Sequence, residues 1–324
     1  MSDQPGSMIY GNTVSYQGND AENYASLPGY LLVDIVGQFA SPSGHAINPV
    51  PVTENQRIPD IDEIIDAQLA GDRLISSGRD LSMFFNMEEV DAQVATLLKG
   101  ANYFVEHLLS GFEEGGIDTK NPFEMFLAIR RIGGKQLERW YGPGDWDDER
   151  NRRKSWVVSD IVVELDKLVR KNLESLKHHN SDQLKDCGIK LLIATTDVHE
   201  HSKLLLEGVF RGIGLTLIDG GVSTDPDSLA GIAEAHGADV IALTTYNGVA
   251  LTYYDQLIDE LTEKGIQVPI LMGGQLNEIP EESDSSLPID VESVLREKGA
   301  IVCREIHDAI APLIAIAKQK RALV

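Results

Sequence analysis

The sequence predicts an α/β protein: a five-stranded parallel sheet wrapped in helices over residues 188–324, preceded by a mainly helical region with an extended arm. Two observations carry this reading. From residue 190 to 321 short apolar runs alternate with amphipathic stretches, the pattern of strands joined by crossover helices, whereas residues 1–188 offer almost no strand pattern. Polar or glycine-rich clusters follow the first, third and fourth apolar runs, and an open α/β sheet keeps its ligand site at the carboxyl ends of its strands. Five strands in this order suggest a flavodoxin-like, Rossmann-like, doubly wound domain.

The elements of the first half are set by punctuation more than by periodicity. Residues 1–26 are polar, rich in Asn, Tyr, Gly and Ser, and read as an extended arm. A short apolar helix is expected over 30–39, stopped by Ser41-Pro42-Ser43-Gly44. Asn48-Pro49-Val50-Pro51-Val52 should run extended, because a residue before proline is driven from the helical region. Asp60 or Asp62 caps a helix through about 74, a second spans 88–112, and Asn121-Pro122 opens a third through 141 with a good N-cap and a proline at the first helical position. After Gly142-Pro143-Gly144 a fourth covers about 156–178, and 179–188 links into the sheet. The implied division is an arm with a short helix at 1–60, which could wrap a partner or lie over its own helices, a helical domain at 61–180, and a sheet domain at 188–324.

In the sheet domain the strands are expected at 190–194, 215–218, 240–243, 268–272 and 300–302, and the helices at 202–211, 226–236, 253–264, 290–298 and 305–320. The first strand ends in Asp197-Val198-His199, the third in Thr244-Thr245-Tyr246-Asn247-Gly248, and the fourth in Gly273-Gly274-Gln275. A carboxylate two residues before a histidine can take the hydrogen of one ring nitrogen, which leaves the other basic and aimed at a metal. Each cluster also has a plainer account: a capping Asp beside a surface His, threonines capping the next helix, glycines in a strand-ending turn. His201 competes for the metal, but His199 alone has the Asp-x-His spacing.

The three clusters together resemble the cobalamin-binding domain of mutases and methyltransferases, whose pattern is D-x-H-x-x-G, then S-x-L, then G-G. The matching positions are Asp197 and His199, then Thr244 and Tyr246, then Gly273 and Gly274. The resemblance implies that His199 is the lower axial ligand of cobalt, that Asp197 orients it, and that Thr244, Gly273 and Gly274 wall the cleft for the cofactor's nucleotide tail. Ser202 stands where the family has Gly, and Tyr246 where it has Leu. Both departures touch the fit of the cofactor. Cys303-Arg304-Glu305 replaces the glycine-containing loop expected after the fifth strand, so Arg304 either meets the phosphate of the tail or merely flanks a helix.

Composition narrows the class. The 324 residues suffice for two domains, and a formal charge of -23, from 51 acidic against 28 basic residues, argues against nucleic acid or an anionic membrane as partner. Cys187 and Cys303 are too few for a disulfide framework and fit a reducing compartment. No apolar stretch reaches spanning length, and a cytoplasmic location is expected.

A catalytic (β/α) barrel needs about 250 residues and eight strand patterns, and residues 1–188 offer almost none. The resemblance therefore implies a cobalamin-binding component of a heteromeric, adenosylcobalamin-dependent mutase, an isomerase in which a separate barrel subunit holds the small-molecule substrate and no catalytic residue is assigned to this chain. Residues 44–54 and 57–60 resemble the tail that follows the barrel in glutamate-mutase-like and aminomutase-like enzymes. The alternative is a corrinoid carrier, using methylcobalamin, for a methyltransferase system, whose helical cap the region before the sheet resembles and whose motif Asp197, His199, Glu200 and Lys203 also match. A cobalamin sensor is disfavoured, since no DNA-binding helix pair or basic patch is present.

Overall fold

The structure, a computed structural model, describes residues 8–10, 16, 19–54, 58–148, 150, 152–246, 248–279 and 288–322. Most of the arm before Asn19, as well as Arg57 and Asn247, lies outside the described residues. The chain forms two compact units, Met1–Ala101 and Asn102–Val324, and the boundary falls within a helix.

In the first unit, helix α1 (Asp20–Ala40) is capped by Asn19 and starts ten residues before the predicted position. Pro28 and Gly29 look like a break in sequence, yet Asn23, Leu27, Leu31 and Ile35 recur every fourth residue and bury one stripe, which outweighs the hydrogen bond that Pro28 removes. Helix α2 (Ile61–Leu81) opens on Asp60, whose carboxylate accepts from the Glu63 N–H while Glu63 reaches back to the Asp60 N–H. The proline-laced segment is fastened to these helices. The Asn23 side-chain amide donates to the Val52 carbonyl at 2.8 Å and the Val50 N–H donates to the Tyr30 hydroxyl at 2.8 Å, so Val50 and Val52 are buried against the chain's own residues.

Helix α3 (Met87–Glu114) contributes Leu108 and Phe112 to a small cluster with Leu137 and Tyr141 in the second unit. The single helix predicted through 141 is two, α4 (Pro122–Ile132) and α5 (Gly134–Tyr141), because Gly133 takes φ 80°, a left-handed turn that ends the first. Helix α6 (Asp160–Leu176) begins after Ser159, four residues later than predicted from Trp156.

The sheet of the second unit has five parallel strands: β1 (Lys190–Thr195), β2 (Thr216–Val222), β3 (Val240–Thr245), β4 (Ile270–Gly274) and β5 (Ile301–Val302). Their spatial order is β5-β4-β3-β1-β2, the flavodoxin-like arrangement with its switch point between β1 and β3. Five of the six residues of β1 and all of β3 are buried, as befits central parallel strands covered on both faces. Helices α8 (Pro226–His236), α9 (Ala250–Glu263) and α10 (Glu292–Glu297) cover one face, where Leu229, Tyr253, Leu257 and Leu295 pack on Leu192, Ile241 and Met272. Helices α7 (His201–Gly212) and α11 (Ile310–Ala322) cover the other, with α6 behind α7.

Candidate functional site

Register aligns the predicted residues at one edge of the sheet. Thr195 of β1 lies opposite Thr244 of β3, and Thr244 lies opposite Gly273 of β4. The loop after β1 is held down on both sides: the Thr196 N–H donates to the Thr244 carbonyl at 3.0 Å, and the Ser223 N–H to the Asp197 carbonyl at 3.1 Å.

Asp197 is the centre of the arrangement. Its Oδ1 accepts from the His199 N–H and from His199 Nδ1, both at 2.8 Å, and its Oδ2 accepts from the Tyr246 N–H at 2.7 Å. Burial pushes the Asp197 carboxyl upward, but these hydrogen bonds outweigh it and hold the group below its ordinary range, so it stays ionised at neutral pH. A carboxylate on Nδ1 places the ring hydrogen there and leaves the lone pair on Nε2. The Asp197 side chain is 6% exposed and that of His199 49%, so the orienting group is buried while the ring it holds opens outward. The Tyr246 ring lies against the imidazole, centroids 4.5 Å apart. No group of three or more His, Cys, Asp or Glu able to hold a metal occurs among the described residues. One open imidazole nitrogen instead suits a metal that brings its other ligands in a macrocycle.

Thr196, Thr244 and Thr245 carry buried hydroxyls with no hydrogen-bond partner among the described residues. Three such hydroxyls beside one sheet edge are what a polar ligand lying along the strand ends would satisfy. The threonines do not cap α9: Glu278 does, its carboxylate accepting from the Leu251 N–H at 2.8 Å and the Thr252 N–H at 3.3 Å. The chain's own backbone accounts for the glycine pair. A Cβ at Gly273 would stand 2.9 Å from the Cys303 carbonyl oxygen, and one at Gly274, where φ is 93°, would stand 2.3 Å from that of Thr245. Ser202 is exposed in the first turn of α7, and His201 opens that helix half-buried. Arg304 pairs with Glu292 at 2.7 Å, the plainer of its two predicted roles.

A buried charge cluster adjoins the site. Lys203, two turns or less from His199 along the chain, is 3% exposed and bonds Glu207 at 2.5 Å and Asp219 at 2.7 Å. Burial disfavours the charged lysine, but the two carboxylates overcome it and raise its pKa; Asp219, pushed up by burial, is drawn below its ordinary value chiefly by Lys203. Lys135 of α5 reaches the same carboxylates, hydrogen-bonding Glu207 and standing 3.6 Å from Asp219. The i, i+4 spacing of Lys203 and Glu207 was visible as a helix pair, but nothing local announces Lys135 or Asp219 as their partners.

Residues 191–301 match the model of the B12 binding domain, and the resemblance carried by Asp197, His199, Thr244 and the glycine pair is borne out for that stretch. Among solved structures the chain is similar to a novel cobalamin-binding protein from Desulfitobacterium hafniense DCB-2, at 17% identity and TM-score 0.31, over 42% of this chain and 59% of that one. It is also similar to the methanol:cobalamin methyltransferase complex MtaBC from Methanosarcina barkeri, at 16% identity and TM-score 0.32, over 40% of this chain and 46% of that one. The chain thus spans less than two thirds of either structure. No curated protein matches it. No helix among the described residues is long and apolar enough to cross a membrane.

Proposed function

We propose that this chain is the cobalamin-presenting component of a heteromeric adenosylcobalamin-dependent mutase, working with a separate barrel subunit that holds the small-molecule substrate. The observation that carries the cobalamin part is the imidazole of His199, fixed through Nδ1 by an ionised Asp197 with Nε2 open. His199 would hold the cobalt through Nε2, Asp197 would orient that ring, and Thr244 would be a hydrogen-bonding wall for the nucleotide tail beside Gly273 and Gly274; Ser202 and Tyr246 border the same edge. When bound, the cofactor supplies the radical chemistry of a 1,2-rearrangement. The chain's own residues hold it, set the basicity of the lower ligand and offer hydroxyls to its tail.

The mutase assignment is supported by the likeness of residues 44–54 and 57–60 to the tail of glutamate-mutase-like enzymes. A second reading, a corrinoid methyl carrier, is favoured by a different observation: α6 packs on α7, and α5 is tied to α7 by the bond from Lys135 to Glu207. Helices built onto the domain in this way suit a carrier's cap.

The test loads the full chain with adenosylcobalamin or methylcobalamin and examines the cobalt(II) form by electron paramagnetic resonance. Wild type should show nitrogen superhyperfine splitting from imidazole, absent in His199→Ala; unchanged splitting in that variant removes the ligand assignment. Turnover with a neighbouring barrel protein supports the mutase, whereas methyl acceptance at a useful rate without it supports the carrier.

A further inference from the structure

A cleft of about 200 Å³ opens between α5, α7 and the edge strand β2, and its charges do not balance. Lys135 and Lys203 together face Glu207 and Asp219, so two ammonium groups meet two carboxylates and that account is closed. Two guanidinium groups remain in the lining, Arg139 and Arg211. Neither has a carboxylate partner among the described residues. Arg139 lies over the Trp146 ring, its guanidinium carbon 4.7 Å from the centroid, a contact that consumes none of its N–H donors. Arg211 is half-buried at the end of α7. In a chain of net charge -23, two arginines without carboxylate partners in the lining of one cavity are unexpected as mere surface charge.

The wall that carries Arg139 is built to stay in place. Arg153 donates to the Arg139 carbonyl at 2.6 Å and to the Gly144 carbonyl at 2.9 Å, while its backbone N–H donates to Glu138 at 3.1 Å. The hairpin of Trp146–Asp147 and Arg152–Arg153 is thereby pinned to α5, and Trp146 is held as a flat side of the cleft.

We propose that this cleft is a second ligand site, separate from the cobalamin edge, that binds an oxyanion, carboxylate or phosphate, on a small molecule. Planar, always-charged guanidinium groups grip such anions through paired hydrogen bonds, and the Trp146 and Leu217 side chains offer the remainder of the ligand an apolar contact. The volume suits a compact molecule, since a cavity of about 150 Å³ already accepts benzene.

The experiment is isothermal titration calorimetry of the full chain with inorganic phosphate and, separately, with benzoate, each at constant ionic strength set with potassium chloride. One saturable site is expected, with a dissociation constant on the order of 0.1–1 mM. Arg139→Gln and Arg211→Gln should each weaken it roughly tenfold, the loss of one charge-assisted contact. Arg211→Lys, which keeps the charge without the fork, should fall between, and Arg304→Gln, a surface arginine already paired with Glu292, should not change it. Thermal unfolding by circular dichroism and cobalamin titration confirm that the variants are folded. Binding of phosphate, benzoate or both that Arg139→Gln and Arg211→Gln weaken supports the site and names the anion, and binding that neither variant weakens overturns it. Binding of neither up to about ten times the upper expected constant, or equal weakening by Arg304→Gln, overturns it.

Discussion

Two Asp–His pairs, one in each unit, differ in what their rings have left to offer. In the first unit, His45 places Nε2 2.9 Å from Asp34 and Nδ1 against the Ser43 hydroxyl, with its side chain 13% exposed. Both ring nitrogens are spent on the chain itself, and the ring locks the turn after α1 against that helix. In the second unit, His199 spends only Nδ1, on Asp197, and is half exposed. The chemistry of each pair is the same, and the nitrogen left over makes the difference. A carboxylate beside a histidine is therefore informative only once the other side of the ring is known.

Exchanging the two histidines for alanine is the strongest way to break this comparison. His199→Ala should abolish imidazole ligation of bound cobalt while leaving stability within about 0.5 kcal/mol, as expected for an exposed ring. His45→Ala should leave ligation intact and cost about 1–3 kcal/mol, because Asp34 and Ser43 lose a shared, mostly buried partner. Urea unfolding monitored by circular dichroism, run beside the resonance spectra, reads both arms. If the two variants fail in the same assay, the contrast is wrong.

Asp197→Asn tests the orienter. It preserves shape but cannot hold Nδ1–H as an ionised acceptor, and should lower cobalamin affinity about 10- to 100-fold by absorbance titration. Unchanged affinity would show that the ring is positioned by Tyr246 alone. Thr244→Val comes next in size: it removes a hydroxyl that is buried and unpartnered among the described residues. The free chain should lose nothing in stability or gain slightly, while cofactor binding weakens by about 1–2 kcal/mol. A variant that loses stability and keeps affinity would place that hydroxyl in the fold instead of the cleft.

The smallest effect is in acid. The native Asp197 carboxyl titrates below its unfolded value of about 3.9, so its contribution is present above that value and is lost as pH falls through the lower native one. Stability of wild type should therefore decline below about pH 4 more steeply than that of Asp197→Asn. Parallel curves would mean that Asp197 is not stabilised in the folded chain.

Burial of a strand on both faces shows in the sequence, whereas a helix that depends on packing does not. The strand runs from Leu191 to Met272 are continuous apolar blocks because parallel strands are buried on both faces, and that pattern survives in sequence without knowledge of neighbours. Helix α1 does not advertise itself so well: Pro28 and Gly29 interrupt it, and only the packing of Leu27, Leu31 and Ile35 against Val52 outweighs the break. The helix predicted through 141 hides its interruption for the converse reason, since Gly133 is tolerated in a helix and its left-handed conformation is chosen by the packing of Leu137 and Tyr141 on Phe112.

By itself the sequence determined the order of strands and helices, the Asp-x-His spacing and the glycine pair, because each depends on residues near in the chain or on a backbone that only glycine can follow. Tertiary structure alone decided the rest. It joined the Tyr246 N–H to Asp197 across 49 residues and set Lys135 against Glu207 across 72. It also brought Arg139 and Arg211 into the lining of one cleft, neither with a carboxylate partner among the described residues. Coulombic and hydrogen-bonding partners are assigned by distance in space, and a buried charge takes whichever partner the fold brings within reach.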